Sequence, residues 1–245
     1  MALVTGASSG IGAATAISLS QLGAAVALAA RRTERLEDLA ARLQGEGATA
    51  FVLTADVTDA SQARDAVERT VAELGRLDTL INNAGVMLLG PVVGAPLEEW
   101  EQMVSINLLG LLYCAHAALP HLLRAAQDSP REVSDLVNIS SVAGRETRSG
   151  SGVYNLTKHG VGAFSEALRK EVTRQHVRVS VVEPGAVETE LAGHNRPEVL
   201  EVMRQRFAGI ERMHAEDIAD VIAFIVTRPR HVAVNEVLVR PTEQE

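Results

Sequence analysis

A tyrosine and a lysine stand four residues apart in the stretch YNLTKHG, residues 154–160. On a helix that spacing sets Tyr154 and Lys158 one turn apart on one face, so a phenol and an ammonium can enter the same site. A phenol ordinarily loses its proton near pH ~10, and a neighbouring cation favours the phenolate. The pair therefore suits proton exchange with an oxygen whose charge changes during a reaction. The same spacing also describes a packed ring beside a solvated amine.

A second cluster lies at the start of the chain. TGASSGIG (5–12) follows the apolar run ALVTG and opens a segment of helical periodicity. Glycines at 6, 10 and 12 read GxxxGxG rather than GxGxxG, yet they serve the same physical ends, a tight turn and close backbone approach at a helix N-terminus whose free amides attract a pyrophosphate. A purely structural glycine turn is the alternative. The next apolar run, AAVALAA (24–30), ends in Ala30, where dinucleotide folds commonly carry an acid for the ribose hydroxyls, and Arg31 and Arg32 follow. No carboxylate repels an extra phosphate there and guanidinium groups can bind it, which favours NADP over NAD. Two solvated charges beside Glu34 would read the same way.

These residues need elements to position them. Seven short apolar runs (2–6, 24–30, 49–57, 77–85, 134–141, 177–185, 235–241) alternate with helical stretches near 10–22, 33–45, 59–74, 97–124, 152–175 and 215–227. The runs are continuous rather than alternating, as in parallel strands covered on both faces. The expected fold is α/β, a single domain over 1–245 with a doubly wound, seven-stranded, mostly parallel sheet and helices on both faces. Residues 124–134, polar and proline-bearing, read as a loop, and 187–213 as an insertion of the kind that forms a lid over a site.

TGASSGIG, NNAG (82–85), NISS (138–141), YNLTK (154–158) and EPG (183–185), in that order, resemble the short-chain dehydrogenase/reductase family over nearly the whole chain. AARR, NNAGVMLLGPV and FSEALRKEVT are most similar to its NADP-dependent clavulanate-type and serine or 3-hydroxy acid dehydrogenase branches. The resemblance implies a single-domain Rossmann fold and NADP(H)-dependent hydride transfer between a carbonyl and an alcohol, with Asn107, Ser141, Tyr154 and Lys158 as the catalytic set. Tyr154 would donate the proton, and Lys158 would favour the phenolate and hold the nicotinamide ribose. Ser141, rather than Ser140, would hold the substrate oxygen, and Asn107 would hold a water that relays protons to the lysine. A turn serine and a helix–helix hydrogen bond are the plainer roles for Ser141 and Asn107. For the cofactor the resemblance implies Gly6, Ser8, Ser9, Gly10, Ile11, Gly12, Arg31 and Arg32; Asp56 and Val57 at the adenine; Asn83, Ala84 and Gly85 at the adenosine ribose; and Tyr154, Lys158, Pro184, Gly185, Val187 and Thr189 at the nicotinamide end. A homotetramer, or a dimer, is the implied assembly. A nucleotide-sensing protein without catalysis and a sugar-nucleotide epimerase or dehydratase are the alternatives. The first has no use for all four catalytic residues, and the second usually carries a larger C-terminal domain.

The formal charge of −8 argues against nucleic acid or an anionic membrane as partner. No leader precedes ALVTG and no uncharged apolar run is read as membrane-spanning, so the expected address is the cytoplasm. The single cysteine, Cys114, excludes an internal disulfide and reads as a buried thiol. His116, His121 and His159 lack acidic or thiol neighbours at ligand spacing, so no metal is expected. Leu191, Leu200, Met203, Phe207 and VMLL (86–89) offer apolar surface to a substrate, and Arg145, Arg148, His194 and Arg196 are cations that could meet an acid group on it.

Overall fold

The computed structural model describes residues 1–244. Seven strands, Ala2–Thr5 (β1), Val26–Ala30 (β2), Ala50–Thr54 (β3), Thr79–Asn82 (β4), Ser134–Ile139 (β5), Val177–Pro184 (β6) and Glu236–Val239 (β7), form one sheet in the order β3-β2-β1-β4-β5-β6-β7. All six pairings are parallel, so the sheet is wholly rather than mostly parallel. Strands β1, β4, β5 and β6 are buried along their whole length, which is why their sequences run apolar without alternation.

Helices cover both faces. Gly10–Gln21 (α1), Thr33–Gly45 (α2) and Ala215–Val226 (α8) pack on one side, and Ala60–Leu74 (α3), Leu111–Asp128 (α5) and Gly152–Val172 (α6) on the other. Leu97–Val104 (α4) runs into α5 through a π-helical turn, Ser105–Gly110. Fully buried leucines such as Leu3, Leu28, Leu80 and Leu136 fill the two interfaces, each contributing roughly 1.5–3 kcal/mol. Asp59 starts α3 by accepting from the Ser61 and Gln62 amides at 2.8 and 3.3 Å, and the Ser61 hydroxyl and Gln62 side-chain amide, with those backbone bonds, hold its carboxyl down at about 2. Cys114 is buried in α5, and burial pushes its thiol up to about 12.

Several expectations need correction. The expected loop 124–134 is mostly helix, because α5 continues to Asp128 with Ala125 and Ala126 turned inward. Only 129–133 link it to β5, at the end of the sheet away from the glycine turn. Residues 97–128 also form a helical stretch long enough to cross a membrane and containing an 18-residue segment of mean hydropathy 1.5, contrary to the reading that no such run exists. Its Ala115, Ala118 and Leu122 are buried against the sheet. The 187–213 insertion contains a short turn, Glu190–His194, and a helix, Pro197–Arg206 (α7).

Buried charges at the amino edge of the sheet are paired. Arg178 donates from Nε and Nη2 to Asp135 at 2.7 and 3.0 Å, and its remaining donors reach the carbonyls of Val226, Arg228, Pro229 and Val232. Asp78 accepts from the Met1 amine at 2.7 Å and from Arg76.

Candidate active site

The order of strands reverses between β1 and β4, and the crevice at their carboxyl ends is where such sheets bind ligands. Gly6 and Gly10 take φ values of 65° and 53°, open to glycine at little cost. A Cβ on Gly12 would collide with the Gly6 carbonyl and lie 2.5 Å from Asn83 Nδ2. That amide donates to Thr5 O at 2.9 Å and Gly6 O at 3.3 Å, and the Thr5 hydroxyl accepts from the Asn83 and Ala84 amides. Asn83 and Gly12 therefore build the turn from behind. Ser9 precedes α1 without capping it through its side chain, so the first amides of the helix remain for an anion.

At the far end of this turn Arg32 donates from Nε to Ser8 Oγ at 3.0 Å, from Nη2 to Ser9 Oγ at 2.6 Å and from Nη1 to Glu190 at 2.7 Å. Arg35 reaches the other oxygen of Glu190 at 2.5 Å. Arg31 is 63% exposed and 3.9 Å from Asp56, whose other oxygen caps a turn by accepting from the Thr58 amide and hydroxyl. An apolar strand end, the donors of Ser8, Ser9, Arg31, Arg32 and Arg35 and glycines that admit backbone contact fit a dinucleotide cofactor.

At the other end, Tyr154 and Lys158 lie one turn apart in α6 and both are buried. Lys158 Nζ is 5.8 Å from the Tyr154 ring centre and donates to Ile139 O at 2.9 Å. Burial pushes the Tyr154 phenol up to about 12, opposed by the Ser141 hydroxyl, and pulls the Lys158 ammonium down to about 8. Desolvation is the largest influence on both groups, and it disfavours the phenolate that Lys158 was expected to favour. Ser141 Oγ also accepts from the Ala143 amide at 3.1 Å and makes a long contact, 3.5 Å, to Pro184 O. Ser140 instead donates to Lys158 O at 3.1 Å, which ties β5 to α6. The Asn107 side chain, inside the π-helical turn, accepts from the Val86 amide at 2.8 Å and donates to Val86 O and Thr157 Oγ1. Its side chain is thus fully engaged in holding α6 and the strand β4 exit. Thr189 packs on Gly10, and Val187 bridges to Met213.

Both ends open into one cavity of about 1110 Å³. It is lined by every residue named above for catalysis or cofactor except Asn107 and Gly12, which stand behind its wall. Val86–Leu89, Leu191, Leu200, Met203 and Phe207 line it as expected, with Arg148 and His194. Arg145 does not, because Glu183 and Glu236 hold it outside, and Arg196 is bound to Glu99 and Glu198. Sequence reasoning missed Arg35, Glu190, Arg206, Arg212 and Asn195. Asn195 clamps the insertion by accepting from the Leu89 amide at 2.6 Å and donating to Met87 O at 3.0 Å. Arg35 follows Arg32 by one helical turn and was legible by spacing; Glu190 lies 158 residues from Arg32 and carries no local signal. Among the described residues no group of His, Cys, Asp and Glu could hold a metal ion.

The sequence pattern described as short chain dehydrogenase matches residues 1–199. An uncharacterized oxidoreductase of Staphylococcus epidermidis is 34% identical over 241 residues, covering 98% of this chain and 96% of that one. Glycine betaine reductase of Emericella nidulans is 38% identical over 244 residues, all of this chain, which spans 19% of that longer protein. The solved structure of a serine dehydrogenase complexed with NADP+ superposes with a TM-score of 0.88 at 31% identity, covering 100% of this chain and 96% of that one. The chain belongs to the short-chain dehydrogenase/reductase family.

Proposed function

We propose that this protein is an NADP(H)-dependent oxidoreductase that interconverts an aldehyde or ketone with an alcohol. The observation that carries the reading is one cavity with Arg32 over Ser8 and Ser9 at one end and Tyr154, Lys158 and Ser141 at the other. The NADP+ carried by the serine dehydrogenase of the same fold supports the choice of cofactor. Bound NADPH supplies the hydride. Gly6, Gly10 and the first amides of α1 receive its pyrophosphate, Arg31 and Arg32 its extra phosphate, Asp56 and Val57 the adenine, and Asn83 to Gly85 border the ribose. Pro184, Gly185, Val187 and Thr189 border the nicotinamide.

Tyr154 gives its proton to the substrate oxygen while Ser141 donates a hydrogen bond to the same atom. A phenol held at about 12 keeps its proton until the oxygen becomes basic enough to take it. Lys158, titrating near 8, is charged at neutral pH and offsets the phenolate that remains. Asn107 acts by fixing Val86 and Thr157, so it is assigned a positioning role. The apolar lining favours a small or mid-sized carbonyl compound, and Arg148, which also pairs with Glu146 at 3.1 Å, stands with Arg206 and Arg212 among the cations on the cavity wall that an acid group on it would meet. Leu109 and Leu156, exposed on the two long helical stretches, support association of copies into a dimer or tetramer. A cytoplasmic address belongs to the same reading.

The test is NADPH consumption, followed by absorbance with NADH in parallel, against neutral aldehydes and ketones and against keto acids. Oxidation that prefers NADPH supports the assignment. Tight NADPH binding with no turnover on any substrate overturns it in favour of a nucleotide sensor. An Arg148→Ala variant that raises KM equally for acidic and neutral substrates removes the acid-group reading.

A further inference from the structure

The anion pocket at the turn already holds an anion of the protein's own. Glu190 opens the short turn Glu190–His194 of the insertion and places one carboxylate oxygen on Arg32 and the other on Arg35, at 2.7 and 2.5 Å. Arg32 has its other two nitrogens on Ser8 and Ser9, so every nitrogen of its guanidinium is committed. The position of Glu190 is fixed by its neighbour, because Thr189 packs directly on Gly10 of the phosphate turn. Glu190 is also a strong acid here: the two guanidinium groups hold its carboxyl down at about 2, so it remains ionised wherever the protein is folded near neutrality.

We propose that Glu190 competes with the additional phosphate of NADP for Arg32 and Arg35, and so sets the margin by which the site prefers NADP over NAD. The inference rests on the NADP reading above. A phosphate approaching these arginines meets a like charge and must take over N–H donors that Glu190 now occupies. NAD has no group that needs them and leaves both ion pairs intact. The two arginines alone would discriminate more strongly than the site does with Glu190 present. Because the competing carboxylate belongs to the insertion, occupation of the phosphate pocket also weakens one of the attachments of that segment to the body of the protein.

The experiment is calorimetric titration of the intact protein with NADPH and with NADH, in wild type, Glu190→Gln, Arg32→Ala and the double variant. Glu190 is 47% exposed and its side chain packs in no core, so the glutamine preserves the fold. Glu190→Gln is expected to tighten NADPH by about 3- to 10-fold, the order of two exposed ion pairs, and to change NADH less than about twofold. In the Arg32→Ala background the gain for NADPH should shrink towards unity. An unchanged NADPH affinity in Glu190→Gln overturns the proposal. So does a weaker one, which would mean that Glu190 orients the arginines for the phosphate, and so does an equal tightening of both cofactors. If wild type binds NADH more tightly than NADPH, the NADP assignment fails, while a selective gain for NADPH in Glu190→Gln still supports the competition.

Discussion

Arg178 and Lys158 are both buried cations, 6% and 7% exposed, at opposite edges of one sheet. Arg178, near the start of β6, gives all its donors to Asp135 and four carbonyls. Among the described residues Lys158, beside the end of β5, has a single hydrogen bond, to Ile139 O, and no carboxylate partner. A satisfied buried charge holds elements together, because every lost water contact is replaced. An under-satisfied one costs stability and shifts its own pKa, and such groups gather where charge must change during function. The amino edge therefore anchors the sheet, and the carboxyl edge is where the proposed function puts the groups whose charge changes.

That contrast can be broken by substitution. The largest effect should come from Tyr154→Phe, which is expected to lower kcat by about 10²- to 10⁴-fold while leaving Tm within the error of the measurement. A loss of Tm comparable to that of a core variant would put Tyr154 among the structural residues. Arg178→Met should do the reverse. It leaves the Asp135 carboxylate buried with only Arg131 at 3.0 Å, at a cost of about 3 kcal/mol. Calorimetry should show Tm lower by roughly 6–12 °C, with kcat per folded molecule unchanged. Gly12→Ala lies between the two edges in kind, since its new methyl meets the Gly6 carbonyl and Asn83 Nδ2. Overpacking there should cost about 1–3 kcal/mol and weaken cofactor binding together with stability.

The smallest effect, and the sharpest for the comparison, is in Lys158→Met. Its folded pKa of about 8 lies below the ordinary 10.5, so the folded state sheds its proton first. Below pH 8 both states are protonated and the folded protein carries the full cost of the buried charge. Between about pH 8 and 10.5 the unfolded chain binds more protons, so stability rises with pH. Tm of wild type relative to Lys158→Met should climb across that window, and the variant should equal or exceed wild type below it. A variant less stable at neutral pH would show that Lys158 is as structural as Arg178.

The parts of this molecule that were legible in the sequence are those where one local cause dominates. Central strands announce themselves because both faces are covered, and Gly6, Gly10 and Gly12 because the turn tolerates nothing larger. Tyr154 and Lys158 were legible because helix geometry alone pairs them. The last turn of α5 was not, since Ala125 and Ala126 bury small side chains among polar neighbours and give little periodic signal. Helix α7 begins with proline at its first turn, a proper start signal. Its Leu200 and Met203 face the cavity rather than the core, so no inward stripe marked it. The desolvation of Tyr154, and the grip of Glu190 on two arginines, arise only once distant segments are packed together.

The insertion is tied down near both of its ends. Val187 and Glu188 pair with Met213, and Asn195 fastens the incoming chain to Met87 and Leu89. Everything from 196 to 212 is thus a closed excursion whose ends stay put whatever lies between them, and loop length costs little once the ends are fixed. On the proposed function this stretch is an exchangeable cassette: changing its cavity-lining residues, Leu200, Met203 and Phe207, is expected to alter substrate choice without disturbing the glycine turn or the Tyr154 helix.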